Sequence, residues 1–255
     1  EPTLHAAIDA LRGVAAFPAE QITAENLTPT GLCIDGLWDA KRALIEQSPG
    51  LSIWRGTERF EDLKGLANIK SFLTRIINGQ QPPRVVVVMD EFEKMMAGSR
   101  GGDMSGTSQK MHGTLLSFME DTGAAGLIAF GVSGAGKTAV AKALGAEAGG
   151  MTIQCNVSAM EGSLVGESVK NLRSALKVIR AVSGGRALFY AACNGLATIS
   201  PELLQRFSFG TFFFDLPTEE ERSSIWDLYE ANNGLPEQER PRDEGWVGRN
   251  IKQCC

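Results

Sequence analysis

Hydrophobic positions along the chain alternate between two kinds of run. Five short segments rich in β-branched or aromatic residues, at 85–90, 127–131, 152–157, 187–193 and 211–216, predict strands. Most are separated by stretches whose apolar residues recur at helical spacing. The clearest of these carries Leu66, Ile69, Phe72, Leu73 and Ile76 and stops at Gly79 and the Pro82-Pro83 pair, which predicts a helix feeding a strand. Uninterrupted apolar runs such as Val85-Val86-Val87-Val88-Met89 imply burial on both faces of the sheet. The pattern predicts an α/β fold: a three-layer α/β/α core around a parallel five-stranded sheet.

The flanks differ from this core. Residues 1–59 read as a small N-terminal helical region, with helical stretches near 5–14 and 37–47 around a Pro/Thr-rich connection. The core spans 60–217. Residues 218–255 are again helical: Thr218 and Glu221 make a capping box ahead of Ile225, Trp226, Leu228 and Tyr229, and a polar loop at 233–243 precedes a last helix from near Trp246. The Gly/Ser-rich stretch 98–108 reads as a mobile loop.

Composition narrows the function classes. A chain of 255 residues, 43% hydrophobic and 22% charged, can bury a sizeable core and is not a disordered tail. No apolar run approaches the ~18 residues of a membrane span. The five cysteines (33, 155, 193, 254 and 255) form no C-x-x-C pair, and His5 and His112 lie far apart, which counts against zinc and a disulfide scaffold. Cys155 and Cys193 lie inside strand-like runs, so buried reduced thiols and a cytoplasmic setting are expected. With 25 basic and 30 acidic residues the net charge is −5 and no Lys/Arg run stands out; a global field for nucleic acid is missing, though a local patch stays open. Glu1 and the Cys254-Cys255 pair read as ends cut within a longer protein.

The candidate chemistry centres on Gly131-Val132-Ser133-Gly134-Ala135-Gly136-Lys137-Thr138, which satisfies G-x-x-x-x-G-K-[ST], follows a predicted strand and opens an Ala-rich helix starting at Ala139. Glycines let the backbone curl so that its N–H groups face phosphate oxygens, and the helix N-terminus adds a favourable dipole. These residues predict a P-loop NTPase fold that binds a nucleotide. Lys137 would reach the β- and γ-phosphates and the Thr138 hydroxyl would join a Mg²⁺ shell. The strand 85–90 ends in Asp90 and Glu91: Asp90 would hold Mg²⁺ and Glu91 would polarise the attacking water, unless the two acids merely cap the next helix. Asn194 closes a third strand, where it could position water or touch the γ-phosphate, or simply form a turn before Gly195. Arg206 follows a short Pro201-led helix; an ion-paired surface Arg is the plain alternative.

Together these pieces resemble the AAA+ ATPases, and within them the AAA branch, over about 60–255. The resemblance rests on FEDLKGLANIK at 60–70, the P-loop, the Asp90-Glu91 strand end, SLVGES at 163–168, ACN at 192–194, PELLQRF at 201–207 and DLPTEEER at 215–222. It implies Asn194 as sensor 1, Arg206 as an arginine finger acting on a neighbour's nucleotide, and Asp62 to Leu66, Gly65 included, around the adenine. It also makes Arg249, in WVGRNI, a sensor-2 candidate, and 218–255 the start of a lid.

The chain departs from the family in order, because its acidic strand precedes the P-loop. Leu164 also stands where many members have a pore aromatic. The resemblance implies a Mg²⁺-dependent ATPase that assembles with itself, as a hexameric ring, and serves as a motor or remodelling factor on a macromolecule, protein rather than nucleic acid, with no membrane. A nucleic-acid-associated ATPase, a non-catalytic nucleotide-dependent scaffold and a small-molecule kinase are the alternatives.

Overall fold

The computed structural model describes residues 2–97, 106–160, 166–236 and 239–255. Helices α1 (Pro2–Leu11), α2 (Ala16–Glu25) and α3 (Ile34–Glu46) come first, with a two-strand ribbon of β1 (Leu27–Thr28) and β2 (Gly31–Leu32) between the last two. Strand β3 (Leu51–Trp54), α4 (Ala67–Ile77), β4 (Val85–Met89), α5 (Phe92–Ala97) and α6 (Thr107–Thr122) follow. Next come β5 (Ala125–Gly131), α7 (Lys137–Glu147), β6 (Met151–Cys155), α8 (Glu167–Ser183), β7 (Ala187–Cys193), α9 (Pro201–Arg206) and β8 (Thr211–Phe214). Helices α10 (Glu219–Asn233) and α11 (Gly248–Cys254) close the chain.

The sheet order is β3-β6-β4-β7-β5-β8, and the five strands from β6 to β8 are parallel. These are the five that the hydrophobic pattern predicts. The sixth, β3, runs antiparallel at the edge, with Leu51 opposite Cys155 and Trp54 opposite Thr152. Its four residues, interrupted by Ser52, are too short a pattern to read as a strand. The loop expected at 98–108 lies largely outside the described residues, as does Leu164.

Period-two alternation divides the core cleanly. Val85, Val87, Met89, Ile128, Ile153, Phe189 and Ala191 turn to one face and pack on Phe92, Met111, Leu115 and the apolar side of α8. Val86, Val88, Leu127, Ala129, Leu188, Tyr190 and Phe214 turn to the other, against α4 and α7. Both faces are therefore dry, and the result is a three-layer α/β/α arrangement. A third, smaller core joins Ala7, Ala10, Ile22 and Leu37 of the N-terminal helices. Helix α10 starts at the expected capping box: Glu221 N–H donates to Thr218 Oγ1 at 3.3 Å and Thr218 N–H to Glu221 Oε2 at 3.0 Å.

Candidate nucleotide site

Strands β4, β7 and β5 are successive neighbours, so the residues that follow them share one sheet edge whatever their order in the chain. That edge opens into a cavity of about 440 Å³ lined by Asp90, Glu91, Asn194 and the loop from Ser133 to Ala139. Asp62, Gly65 and Arg249 line it as well. Gly131 and Val132 form the base of the loop just outside it. Arg206 lies elsewhere, ion-paired to Glu120 at 3.1 Å, with both side chains largely exposed.

The loop's glycines meet steric demands. Gly131 has φ 138°, and a Cβ there would overlap the Phe214 carbonyl of the adjacent strand. Gly134 has φ 85°, and a Cβ would come within 2.8 Å of Val247 Cγ2 and 3.0 Å of Arg249 Cβ, so the C-terminal helical segment packs directly on the loop.

Lys137 is buried at 7% exposure. Its ammonium donates to the carbonyls of Gly131 and Val132, each at 2.8 Å, and to Asn194 Oδ1 at 3.2 Å. Burial pulls its pKa below the usual lysine range, against the opposing pull of Cys193, Glu93 and Asp90. Thr138 Oγ1 donates to Asp90 Oδ2 at 3.0 Å, and Asp90 Oδ1 accepts the Glu91 N–H at 3.0 Å. This couples the P-loop helix to the acidic strand end. Two hard oxygen donors side by side fit Mg²⁺, which takes one or two protein ligands and keeps several waters. Among the described residues no cluster of three or more His, Cys, Asp or Glu could form an all-protein metal cage.

Two non-glycine residues among those described have positive φ, Leu66 at 56° and Glu91 at 51°. Both line this cavity. Left-handed backbone at such residues costs on the order of 1–3 kcal/mol and concentrates where geometry serves function. The Glu91 carboxylate pairs with Lys94 at 2.6 Å.

Sequence reasoning missed three supports. Tyr190, fully buried on β7, donates its hydroxyl to the Lys137 carbonyl at 2.9 Å and pins the first turn of α7. Glu93 Oε1 accepts from Asn194 Nδ2 at 3.0 Å, while its Oε2 is buried without a partner. Glu221 Oε1 accepts the Leu66 N–H at 3.1 Å and so ties the 62–66 segment to α10. Only Glu93 had a signal available, as an acid three residues beyond Asp90.

Residues 127–189 match the family described as "ATPase family associated with various cellular activities (AAA)". The match is confined to this segment. It begins in the strand before the P-loop and ends within β7. Among solved structures, the chain is similar to the FIGL-1 AAA domain in complex with ADP, at 14% identity over 85% of this chain and 77% of that one, with a TM-score of 0.45. It is also similar to a structure described as "Structural Basis for Katanin Self-Assembly", at 14% identity over 84% and 74%, with a TM-score of 0.48. Likeness at this level carries nothing about chemistry or partners. No curated protein matches the sequence. No helix of the described residues is long and apolar enough to cross a membrane.

Proposed function

We propose that the chain is an ATPase that binds ATP with Mg²⁺ in the cavity at the C-terminal edge of its sheet. The observation that carries this reading is the convergence of Lys137, the Thr138–Asp90 contact and Asn194 from three different strand ends. In this reading the acidic pair of the family has moved ahead of the P-loop in the chain, and the sheet restores its place in space. N–H groups of the 133–138 loop and the N-terminus of α7 receive the phosphates. Lys137 leaves its carbonyl partners for the β- and γ-oxygens. Thr138 and Asp90 would hold the metal, which neutralises charge building on the phosphates. Glu91 exchanges Lys94 for the attacking water, and Asn194, held by Glu93, aligns it. Asp62, Gly65 and Arg249 border the nucleoside end of the cavity, beside the apolar Leu63 and Ile225.

Self-assembly into a ring, hexameric in the family it resembles, would bring Arg206 to a neighbour's γ-phosphate. Its pair with Glu120 is a surface ion pair, worth about 0–1 kcal/mol and easily exchanged. The client is a macromolecule, protein rather than nucleic acid, in a reducing cytoplasm. The net charge of −5 and the buried free thiols of Cys155 and Cys193 support those two points.

The deciding test is Glu91→Gln. It should bind ATP with wild-type affinity while steady-state phosphate release falls by about 10²–10⁴-fold. Near-normal turnover would show that the acidic pair of β4 is not catalytic.

A further inference from the structure

At the opposite end of the sheet, where β4, β6 and β7 begin, lies a cleft of about 740 Å³. It is lined by six cationic side chains, Arg12, Lys41, Arg42, Arg55, Arg84 and Arg186, and by one carboxylate, Asp9. This is a concentrated positive field in a chain whose net charge is −5. The six come from α1, α3, β3, β4 and β7 or the residues beside them, so only folding assembles them.

Their charge is incompletely answered. Asp9 pairs with Arg12 at 3.1 Å, Asp39 with Arg42 at 2.7 Å and Glu46 with Arg55 at 3.5 Å. Arg84 and Arg186 have no carboxylate partner among the described residues, although they sit side by side, with Arg84 N–H donating to the Arg186 carbonyl at 2.9 Å. Lys41 is 2% exposed, and its ammonium reaches a neutral acceptor, the Asp9 carbonyl, at 3.0 Å. Burial, with Arg12 adding repulsion, pulls its pKa down to about 8. Burial and then the Arg186 and Arg12 charges pull Arg84 down as well. Helices α1, α7 and α8 end beside the cleft, and each C-terminus offsets only about half a charge.

Two N–H donors of residues that line the cleft, Arg42 Nε and Trp54 Nε1, are buried with no partner among the described residues. Each such orphan costs about 1–3 kcal/mol unless something accepts from it. Both tryptophans of the cleft already carry an ammonium: Lys41 lies 4.8 Å from the Trp38 ring centre and Lys142 lies 3.7 Å from that of Trp54. That favours a compact multianion over a stacked base. The volume falls within the ~300–1,000 Å³ of small-molecule sites. We propose that this cleft is a binding site for a small molecule carrying two or more phosphate groups. Arg84 and Arg186, which line the cleft without a carboxylate partner among the described residues, supply the charge that holds the molecule.

The test is calorimetric titration of the full chain carrying Lys137→Ala, which removes the competing P-loop lysine. Tripolyphosphate is expected to bind one-to-one, and adding Arg84→Gln and Arg186→Gln is expected to weaken it at least tenfold. A sugar bisphosphate binding more tightly than tripolyphosphate would identify the ligand as a phosphorylated metabolite; the reverse ranking would identify an inorganic chain. Absence of saturable binding, or binding unchanged by the two substitutions, overturns the proposal. So does a 20-nucleotide single strand that binds more tightly than either probe and is lost with the same substitutions, since that outcome assigns the cleft to nucleic acid. Circular dichroism checks the fold of the variant. If it unfolds, Arg186→Gln alone should weaken tripolyphosphate about fivefold, and no weakening is the overturning result.

Discussion

At the C-terminal edge of the sheet a single lysine, Lys137, is enclosed by three oxygen acceptors, and the nearby carboxylate of Asp90 is hydrogen-bonded to Thr138. At the N-terminal edge Arg84 and Arg186 lie side by side with no carboxylate partner among the described residues, and Lys41 is buried against one carbonyl. The same sheet thus presents a charge-balanced site at one end and an unbalanced one at the other. The balanced end also holds the two strained residues, Leu66 and Glu91. Positive charge alone is therefore a poor guide to catalysis. The edge proposed to be catalytic is distinguished by acceptors within reach of the cation and by backbone held away from its preferred conformation.

The comparison breaks most sharply at Lys137. Lys137→Ala should weaken ATP at least ~10²-fold by titration while leaving tripolyphosphate binding at the opposite cleft in place. Loss of both together would show that tripolyphosphate binds at the P-loop and not at the cleft. Arg206→Ala comes next: ATP turnover of the assembled protein should fall by about 10²-fold or more, with little change in unfolding free energy because the Glu120 pair is superficial. Full activity in the assembly would remove the trans contact.

A smaller effect belongs to the cationic cleft. Lys41 has a folded pKa of about 8 against 10.5 for the free side chain, so between those values the unfolded chain holds more protons. The contribution of this group to stability should then rise with pH through that window, by on the order of 2 kcal/mol, while the buried thiols of Cys155 and Cys193, with pKa values raised to about 12, act in the opposite sense. Lys41→Met should make the change in stability from pH 7 to pH 10 less favourable by about that amount, as urea unfolding of both proteins will show; an unchanged difference would place the titration elsewhere. The smallest effect is expected at Tyr190→Phe, which deletes the hydroxyl bond to the Lys137 carbonyl. It should lower stability by about 1 kcal/mol with a modest loss of ATP affinity, and no change in either would show that the bond does not position α7.

The two ends also differed in how readily the sequence disclosed them. The P-loop is eight consecutive residues whose spacing is dictated by phosphate geometry, and Asp90, Glu91 and Asn194 each end a strongly apolar strand. All are local patterns, and the fold brings all but the outlying Arg206 and the loop base to one cavity. The cleft's cations, at positions 12, 41, 42, 55, 84 and 186, are scattered along the chain, so no window of sequence contains them. Strand β3 escaped for a different reason: its pairing with β6 is set by tertiary contact, not by its own four-residue pattern. Glu221 was legible as a cap, yet its second bond, to Leu66, spans 155 positions and has no local signature.

The enclosure of Lys137 has a further consequence, for selectivity against ordinary salt. An ammonium that already makes three hydrogen bonds gains little by exchanging them for one chloride or one monoanionic carboxylate. Only a ligand that replaces several acceptors at once, with more than one negative charge, repays the exchange. The loop carbonyls and the Asn194 amide in that sense hold the place of a ligand's oxygens, leaving admission to the valence of what arrives.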